Sequence, residues 1–236
     1  MEQFVVSARK YRPQAFEAVV GQSHITDTLL KSVANDHLAQ ALLFCGPRGV
    51  GKTTCARILS KVINGGADLT DEELALNIFE LDAASNNSVD DIRRLIDQVR
   101  FAPQTGKFKV YIIDEVHMLS QQAFNAFLKT LEEPPAHAIF ILATTEKHKI
   151  IPTILSRCQI FDFKRITVDD IAAHLAFVAQ KEGVTAEPEA LHMIAEKADG
   201  ALRDALSLFD RMISFSGNEL TYEQVVNVLD ILDYNY

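Results

Sequence analysis

The spacing of hydrophobic positions changes along the chain and divides it into two parts. Up to Lys164, short apolar runs alternate with longer segments whose apolar residues recur every three or four positions. The short runs predict strands and the longer segments predict amphipathic helices. Strands are predicted at residues 41–46, 77–82, 109–115 and 138–145, with a further strand-like run at 158–163. Helices are predicted at residues 53–63, 88–101 and 120–133, and the last two begin at Ser88 and Ser120, which could cap them. This alternation predicts an α/β fold, in which a parallel sheet carries helices on both faces.

After Lys164 only the helical spacing remains. Plausible helix starts are Thr167, Glu187 or Pro188, and Thr221. We therefore expect a sheet-containing domain at residues 1–164 and a small all-helical domain at residues 165–236. The polar, glycine-containing stretch at residues 63–75 is expected to be a surface insertion.

Composition narrows the class of protein. The 236 residues are 48% hydrophobic and 23% charged, as in ordinary soluble globular proteins. No apolar run approaches the ~18 residues of a membrane span, and the N-terminus lacks the features of a signal peptide. The three cysteines form no CxxC pair, which favours a reducing compartment without disulfides or a zinc cage. We expect a cytoplasmic protein with no membrane partner.

The net charge of −9 is unevenly distributed. Residues 1–164 carry 18 basic and 19 acidic side chains, whereas residues 165–236 carry 5 and 13. This distribution argues against a protein that coats nucleic acid. A DNA path lined by a few basic groups stays possible, because only the local field at the contact matters.

A glycine-rich stretch, GPRGVGKT, lies between the first predicted strand and the following helix. It fits the phosphate-binding P-loop pattern, in which glycines turn backbone amides toward phosphates at a helix N-terminus. Lys52 is expected to reach the β- and γ-phosphates of ATP, and the Thr53 hydroxyl to bind Mg²⁺. The alternative is a chance glycine-rich turn. The candidate nucleotide-binding residues here are Gly46, Pro47, Arg48, Gly49, Val50, Gly51, Lys52, Thr53 and Thr54.

Acidic and hydroxyl residues follow two other predicted strands. Asp114 is expected to bind Mg²⁺ through water, and Glu115 to orient or deprotonate the attacking water. An acidic pair alone could simply solvate a strand end; together with a P-loop it favours ATP hydrolysis. Thr144 and Thr145 could touch the γ-phosphate or the water, although strand propensity also explains them. Arg203 lies off the apolar face of its helix, either in solvent or directed at the phosphates.

Dense motifs in order along the chain support a family resemblance. They include ARKYRPQAFEAVVGQ, GPRGVGKTT, ELDAASN, KVYIIDEVHMLS, FNAFLKTLEEPP, LATTE, ILSRCQIF and GALRDALSLFD. This set resembles the AAA+ ATPases and, more narrowly, the gamma/tau subunits of the bacterial DNA polymerase III clamp loader.

The resemblance implies a role for further residues. It places Thr145 or Thr144 at the sensor 1 position and Arg203 at the sensor 2 position. It makes Arg157 an arginine finger that acts in trans on a neighbouring subunit; a surface ion pair is the alternative. Segments around the adenine would contribute Tyr11, Arg12, Pro13 and Val20.

The implied function is ATP-dependent loading of a sliding clamp onto primed DNA, within the DNA polymerase III holoenzyme. The subunit would have no polymerase site of its own, and its partners would be other clamp-loader subunits, the clamp and DNA. Backbone amides and Arg93, within residues 85–94, would face DNA phosphates. A non-hydrolysing AAA+ scaffold and a Holliday-junction helicase are the alternatives.

The sequence departs from the family pattern in two places. The region between the P-loop helix and the strand at 77–82 contains no cysteine, where the family usually carries a four-cysteine zinc module. We therefore expect no zinc. The family's collar domain, which would follow residue 236, is expected to be absent, so that the chain is a fragment.

Overall fold

The computed structural model describes residues 5–65 and 71–233. The strands are β1 (Ala41–Cys45), β2 (Ile78–Asp82), β3 (Lys109–Asp114), β4 (Ala138–Thr144), β5 (Gln159–Asp162), β6 (Thr185–Ala186) and β7 (Glu219–Leu220). The first seven helices are α1 (Ser7–Lys10), α2 (Ser23–Ala34), α3 (Lys52–Ile63), α4 (Asp71–Ala75), α5 (Val89–Val99), α6 (Gln121–Glu132) and α7 (Pro152–Leu155). The last four are α8 (Val168–Glu182), α9 (Pro188–Lys197), α10 (Leu202–Ser216) and α11 (Tyr222–Asp233).

Five strands form one parallel sheet in the order β2-β3-β4-β1-β5. Alternate residues of each strand point to opposite faces. Leu43, Ile113 and Leu142 therefore join one hydrophobic core, while Leu42, Ile112 and Ile141 join another. Helices α5 and α6 cover the first face, and α2 and α3 cover the second. The predicted α/β fold is confirmed.

Side-chain caps fix the starts of several helices. Ser88 forms a reciprocal capping box with Asp91, which confirms the predicted cap of α5. The Ser120 and Thr167 side chains accept hydrogen bonds from backbone amides in the first turns of α6 and α8. Each cap satisfies an amide that would otherwise lack a partner at the helix start.

The four C-terminal helices form a third hydrophobic core with Ile166. Two-residue strands β6 and β7 pair in parallel beside them, so the expectation that strands stop after Lys164 was wrong. Backbone hydrogen bonds at the starts of α9 and α11 create this pair: the amide of Thr185 donates to Asn218, and that of Glu187 to Leu220, each over 2.9 Å. A two-residue strand is too short to show the alternation of apolar and polar residues from which strands are predicted.

The predicted insertion at residues 63–75 is only partly described, because residues 66–70 lie outside the described residues. Its last part is not a surface loop, since α4 is helical and Leu74 is buried. Within residues 5–65 and 71–233, no helix has both the length and the apolar character needed to cross a bilayer.

Candidate nucleotide-binding site

The glycine-rich loop leaves β1 at Gly46 and enters α3 at Lys52. Gly46 and Gly51 have φ angles of 147° and 105°, which L-residues rarely adopt. Gly46 is also tightly packed: a Cβ atom added there would lie 2.5 Å from the carbonyl oxygen of Phe163. The loop therefore needs glycine for its backbone turn and for close approach to the chain beyond β5.

Lys52 is folded against the inside of this loop. Its side-chain nitrogen donates hydrogen bonds of 2.7 Å to the carbonyls of Gly46 and Pro47, and only 6% of the residue is exposed. Burial lowers the pKa of the ammonium, while the nearby Glu115 and Asp114 carboxylates act to raise it. The site thus holds a buried cation next to two acids.

Thr53 and Asp114 bring two oxygen ligands together. The Thr53 hydroxyl donates to Asp114 Oδ2 over 2.7 Å, and Asp114 Oδ1 accepts from the amide of Glu115 over 2.9 Å. Oxygen ligands of this kind suit Mg²⁺, which commonly keeps water and phosphate oxygens as its other ligands. No cluster of three or more His, Cys, Asp or Glu residues in the described part of the chain could hold a metal by itself.

Glu115 follows β3 in the left-handed region, with a φ angle of 47°. Its Oε2 atom accepts hydrogen bonds from the amide and the hydroxyl of Thr145, over 3.2 and 2.9 Å. Thr144 is fully buried, and its hydroxyl lies 3.0 Å from His117 Nδ1. Of the two threonines left open by the sequence, Thr145 contacts the proposed base directly.

A cavity of about 410 Å³ lies over this cluster. The residues expected around the adenine line it: Tyr11, Arg12, Pro13 and Val20. From the loop and the acidic pair, the lining residues are Arg48, Gly49, Val50, Gly51, Lys52, Thr53, Thr54, Asp114 and Glu115. Gly46 and Pro47 are absent from the lining, and their carbonyl oxygens accept hydrogen bonds from the Lys52 ammonium.

Sequence reasoning missed part of the lining. Ala8, Val19, Asp82, Ile166, Leu202 and Leu206 also face the cavity. All but one of these residues stand inside motifs that carry the family resemblance, so those motifs could have indicated them: Ala8, Val19, Asp82, Leu202 and Leu206. Ile166 lies outside the motifs and carries no local signal for a binding site.

Arg203 lies at the start of α10, beside the loop. Its amide donates to the carbonyl of Gly49 over 3.3 Å, and its side chain lines the cavity. Burial lowers the pKa of the Arg12 guanidinium, and the cations Arg57 and Arg203 lower it further. The cavity therefore has cationic side chains from both the N-terminal segment and the helical part, as an anionic ligand requires.

The N-terminal segment connects the cavity to the helical part. The buried Ser7 donates both its amide and its hydroxyl to Asp210 of α10. Lys10 and Tyr11 both bind Glu182 of α8. The segment thus packs across the boundary predicted at residue 164.

Arg157 is not among the residues that line the cavity. Its guanidinium forms a 2.5 Å ion pair with Glu132 and donates to the carbonyl of Thr153 over 2.6 Å. The surface ion pair considered from the sequence is present within the chain. About 30% of the Arg157 side chain is exposed.

In residues 85–94, the segment proposed to face DNA, some charged side chains pair with one another. Arg93 pairs with Asp90 over 3.3 Å, with both side chains more than half exposed. Exposed pairs of this kind contribute little stability.

The parallel sheet, the loop at the end of β1, the acidic pair at the end of β3 and the helical unit beside the cavity define the AAA+ class of P-loop ATPases. Residues 21–167 match the family described as DNA polymerase III, delta subunit, and residues 170–218 match the DNA polymerase III clamp loader subunit, ATPase lid domain. The chain belongs to the DNA polymerase III gamma/tau family of clamp-loader subunits.

Curated relatives carry the same family names. The tau subunit of Bacillus subtilis is 51% identical over 97% of this chain and 43% of its own length. The tau subunit of Escherichia coli is 44% identical, over 98% of this chain and 38% of its own length. A gamma subunit of Buchnera aphidicola subsp. Acyrthosiphon pisum is 37% identical, over 99% of this chain and 68% of its own length. This chain therefore spans less than half of each of these tau relatives.

Solved structures support the fold. The Thermotoga maritima RuvB Holliday junction branch migration motor superimposes with a TM-score of 0.73, over 94% of this chain and 73% of that chain. Its sequence identity to this chain is 22%, so the superposition shows a shared AAA+ fold and carries no argument about function.

Proposed function

We propose that this chain binds and hydrolyses ATP as a clamp-loader subunit of the DNA polymerase III holoenzyme. Hydrolysis would be coupled to loading a sliding clamp onto primed DNA in the cytoplasm. The observation that carries the proposal is the convergence of Lys52, Thr53, Asp114 and Glu115 at one edge of the sheet, beside a cavity of about 410 Å³.

The geometry supports a separate role for each of these four residues. Lys52 would leave the loop carbonyls and pair with the β- and γ-phosphates. Thr53 and Asp114 would hold Mg²⁺, which when bound neutralises phosphate charge. Glu115 would accept a proton from the attacking water, and Thr145 would orient that carboxylate.

Side chains around the rest of the cavity would bind the remainder of the nucleotide. Tyr11, Arg12, Pro13 and Val20 would enclose the adenine. Arg203 would reach the phosphates from α10, so that nucleotide binding would fix the position of the helical part.

Arg157 would act in trans on a neighbouring subunit. Two observations favour this: it lies outside its own cavity lining, and part of its side chain is exposed. Release from Glu132 would be required, and an exposed pair costs only about 0–1 kcal/mol to break. The guanidinium would then stabilise charge on the neighbour's transferring phosphoryl group.

Two substitutions test the P-loop assignment. Lys52→Ala should remove most ATP binding, because the triphosphate loses its main cation, whereas Glu115→Gln should retain binding and stop turnover. Binding is measured by titration with a fluorescent ATP analogue, and turnover by phosphate release in the assembled loader with clamp and primed DNA. Lys31→Ala, an exposed lysine on α2, is the control. Unchanged affinity in Lys52→Ala, or parental turnover in Glu115→Gln, contradicts the assignment.

Mixed assemblies test Arg157. Arg157→Ala should leave ATP binding by the isolated chain unchanged and reduce stimulated hydrolysis by on the order of 10³-fold. A variant subunit with an intact P-loop should impair the adjacent site and not its own. Loss of the chain's own nucleotide binding would instead identify Arg157 as structural.

A further inference from the structure

A histidine beside the acidic pair has no role in the function proposed above. His117 lies in the short turn Val116–Met118, and only 6% of its side chain is exposed. Its Nδ1 atom lies 3.0 Å from the Thr144 hydroxyl and 3.3 Å from Glu115 Oε2. Its Nε2 atom faces Glu146 Oε1 at 3.7 Å. The imidazole is therefore enclosed between Glu115 and the turn that follows β4.

The contacts of Glu115 are concentrated on one oxygen. Oε2 receives two hydrogen bonds from Thr145 and also faces His117 Nδ1. Within the described part of the chain, Oε1 has no hydrogen-bond partner, while Glu115 lines the nucleotide cavity. One oxygen is thus fixed by the protein and the other is left to act on a ligand.

We propose that His117 is a positioning residue for Glu115, an inference that rests on the proposed role of Glu115 as the base. A ring that carries a proton on Nδ1 places that N–H between the Thr144 hydroxyl, at 3.0 Å, and Oε2, at 3.3 Å, and thereby restricts rotation of the carboxylate. The Thr144 hydroxyl, which accepts the amide of Glu146 over 3.0 Å, keeps the ring in that orientation. Oε1 then faces the attacking water in a single geometry, as efficient proton abstraction requires.

The contacts also explain why histidine suits this position. The side chain must fill a buried space and present one N–H at a defined point. Phenylalanine fills a similar volume without the donor, and asparagine can place an amide N–H near the Nδ1 position with less volume. If the ring only fills space, the phenylalanine variant should keep more activity than the asparagine variant. If the ring positions Glu115, the asparagine variant should keep more activity.

The test compares His117→Phe and His117→Asn in the full-length subunit, assembled with its loader partners, clamp and primed DNA. We expect His117→Phe to reduce kcat about 10-fold or more, with the ATP dissociation constant and the melting temperature unchanged. His117→Asn should restore most of kcat. Thr144→Val, which removes the hydroxyl that contacts both the ring and the amide of Glu146, should lower kcat by a smaller factor in the same direction.

Each outcome decides the inference. Parental kcat in His117→Phe overturns it, as does a greater loss in the asparagine variant with a lowered melting temperature, because the ring is then only structural. If His117→Phe does not fold, His117→Leu, which also lacks the N–H donor, takes its place: reduced kcat with parental ATP affinity and melting temperature supports positioning, and parental kcat refutes it. If Glu115→Gln keeps parental turnover, Glu115 is not the base and its proposed role is refuted. If Glu115→Gln is inactive while His117→Phe keeps parental kcat, only the proposed role of His117 is refuted.

Discussion

Comparing Gly46→Ala with Gly51→Ala separates the energetic cost of tight packing from that of backbone conformation within the glycine-rich loop. Both Gly46 and Gly51 have positive φ angles, so alanine at either position should cost about 1–3 kcal/mol in backbone strain. Only Gly46 is crowded: its added Cβ would lie 2.5 Å from the Phe163 carbonyl oxygen, whereas a Cβ on Gly51 meets no atom within 4 Å.

The crowded neighbour has little room to move. The amide of Phe163 donates to the carbonyl of Cys45 over 2.7 Å, and the phenylalanine ring is buried in the core beside α3. Overpacking of this kind costs about 1–3 kcal/mol. Gly46→Ala should therefore destabilise the chain by about 2–6 kcal/mol, and Gly51→Ala by about 1–3 kcal/mol.

Guanidinium unfolding of both variants, followed by circular dichroism without nucleotide, measures the difference. The denaturation midpoint of Gly46→Ala should lie below that of Gly51→Ala, with similar slopes. Leaving nucleotide out keeps loss of ATP binding from entering the comparison. Equal midpoints, or a lower midpoint for Gly51→Ala, would refute the packing argument.

Three further predictions concern other parts of the chain. Ser88→Ala should lower the unfolding free energy by about 0.5–2 kcal/mol through loss of the capping box, and an unchanged denaturation midpoint would contradict it. Asp210→Ala should leave the buried Ser7 donors unpaired and increase amide hydrogen exchange across residues 5–13; parental protection there would show that the contact is dispensable. Burial raises the pKa of Cys45 to about 11 and the pKa of Cys55 and Cys158 to about 12. Iodoacetamide at pH 8 should therefore label the native chain slowly and the denatured chain rapidly, and fast native labelling would contradict the burial.

The sequence alone determined the features that depend only on residues close together along the chain. Spacing of apolar positions indicated the five strands of the main sheet, because pleat and helix impose periods of 2.0 and 3.6 residues. The P-loop pattern indicated Lys52 and Thr53, since phosphate binding by backbone amides needs a fixed local spacing. Ser88 and Ser120 were predictable as caps for the same reason.

Helix α2 and the pair β6–β7 were not predicted. The first lies at residues 23–34, directly after the motif at residues 8–22, and the second is too short to show a period. Both are stabilised by contacts with distant parts of the chain, which local spacing does not encode.

Only the tertiary structure decided which side chains meet across distant segments. That Thr145 rather than Thr144 contacts Glu115 depends on how the end of β4 lies beside Glu115, because adjacent residues at a strand end face different surroundings. The Arg157 ion pair with Glu132 joins residues brought together by the packing of α6 and α7. Likewise, His117 became relevant only when its contacts with Glu115 and the β4 turn were seen. These contacts depend on the order of strands in the sheet, and that order is set by packing of the whole core rather than by any local pattern.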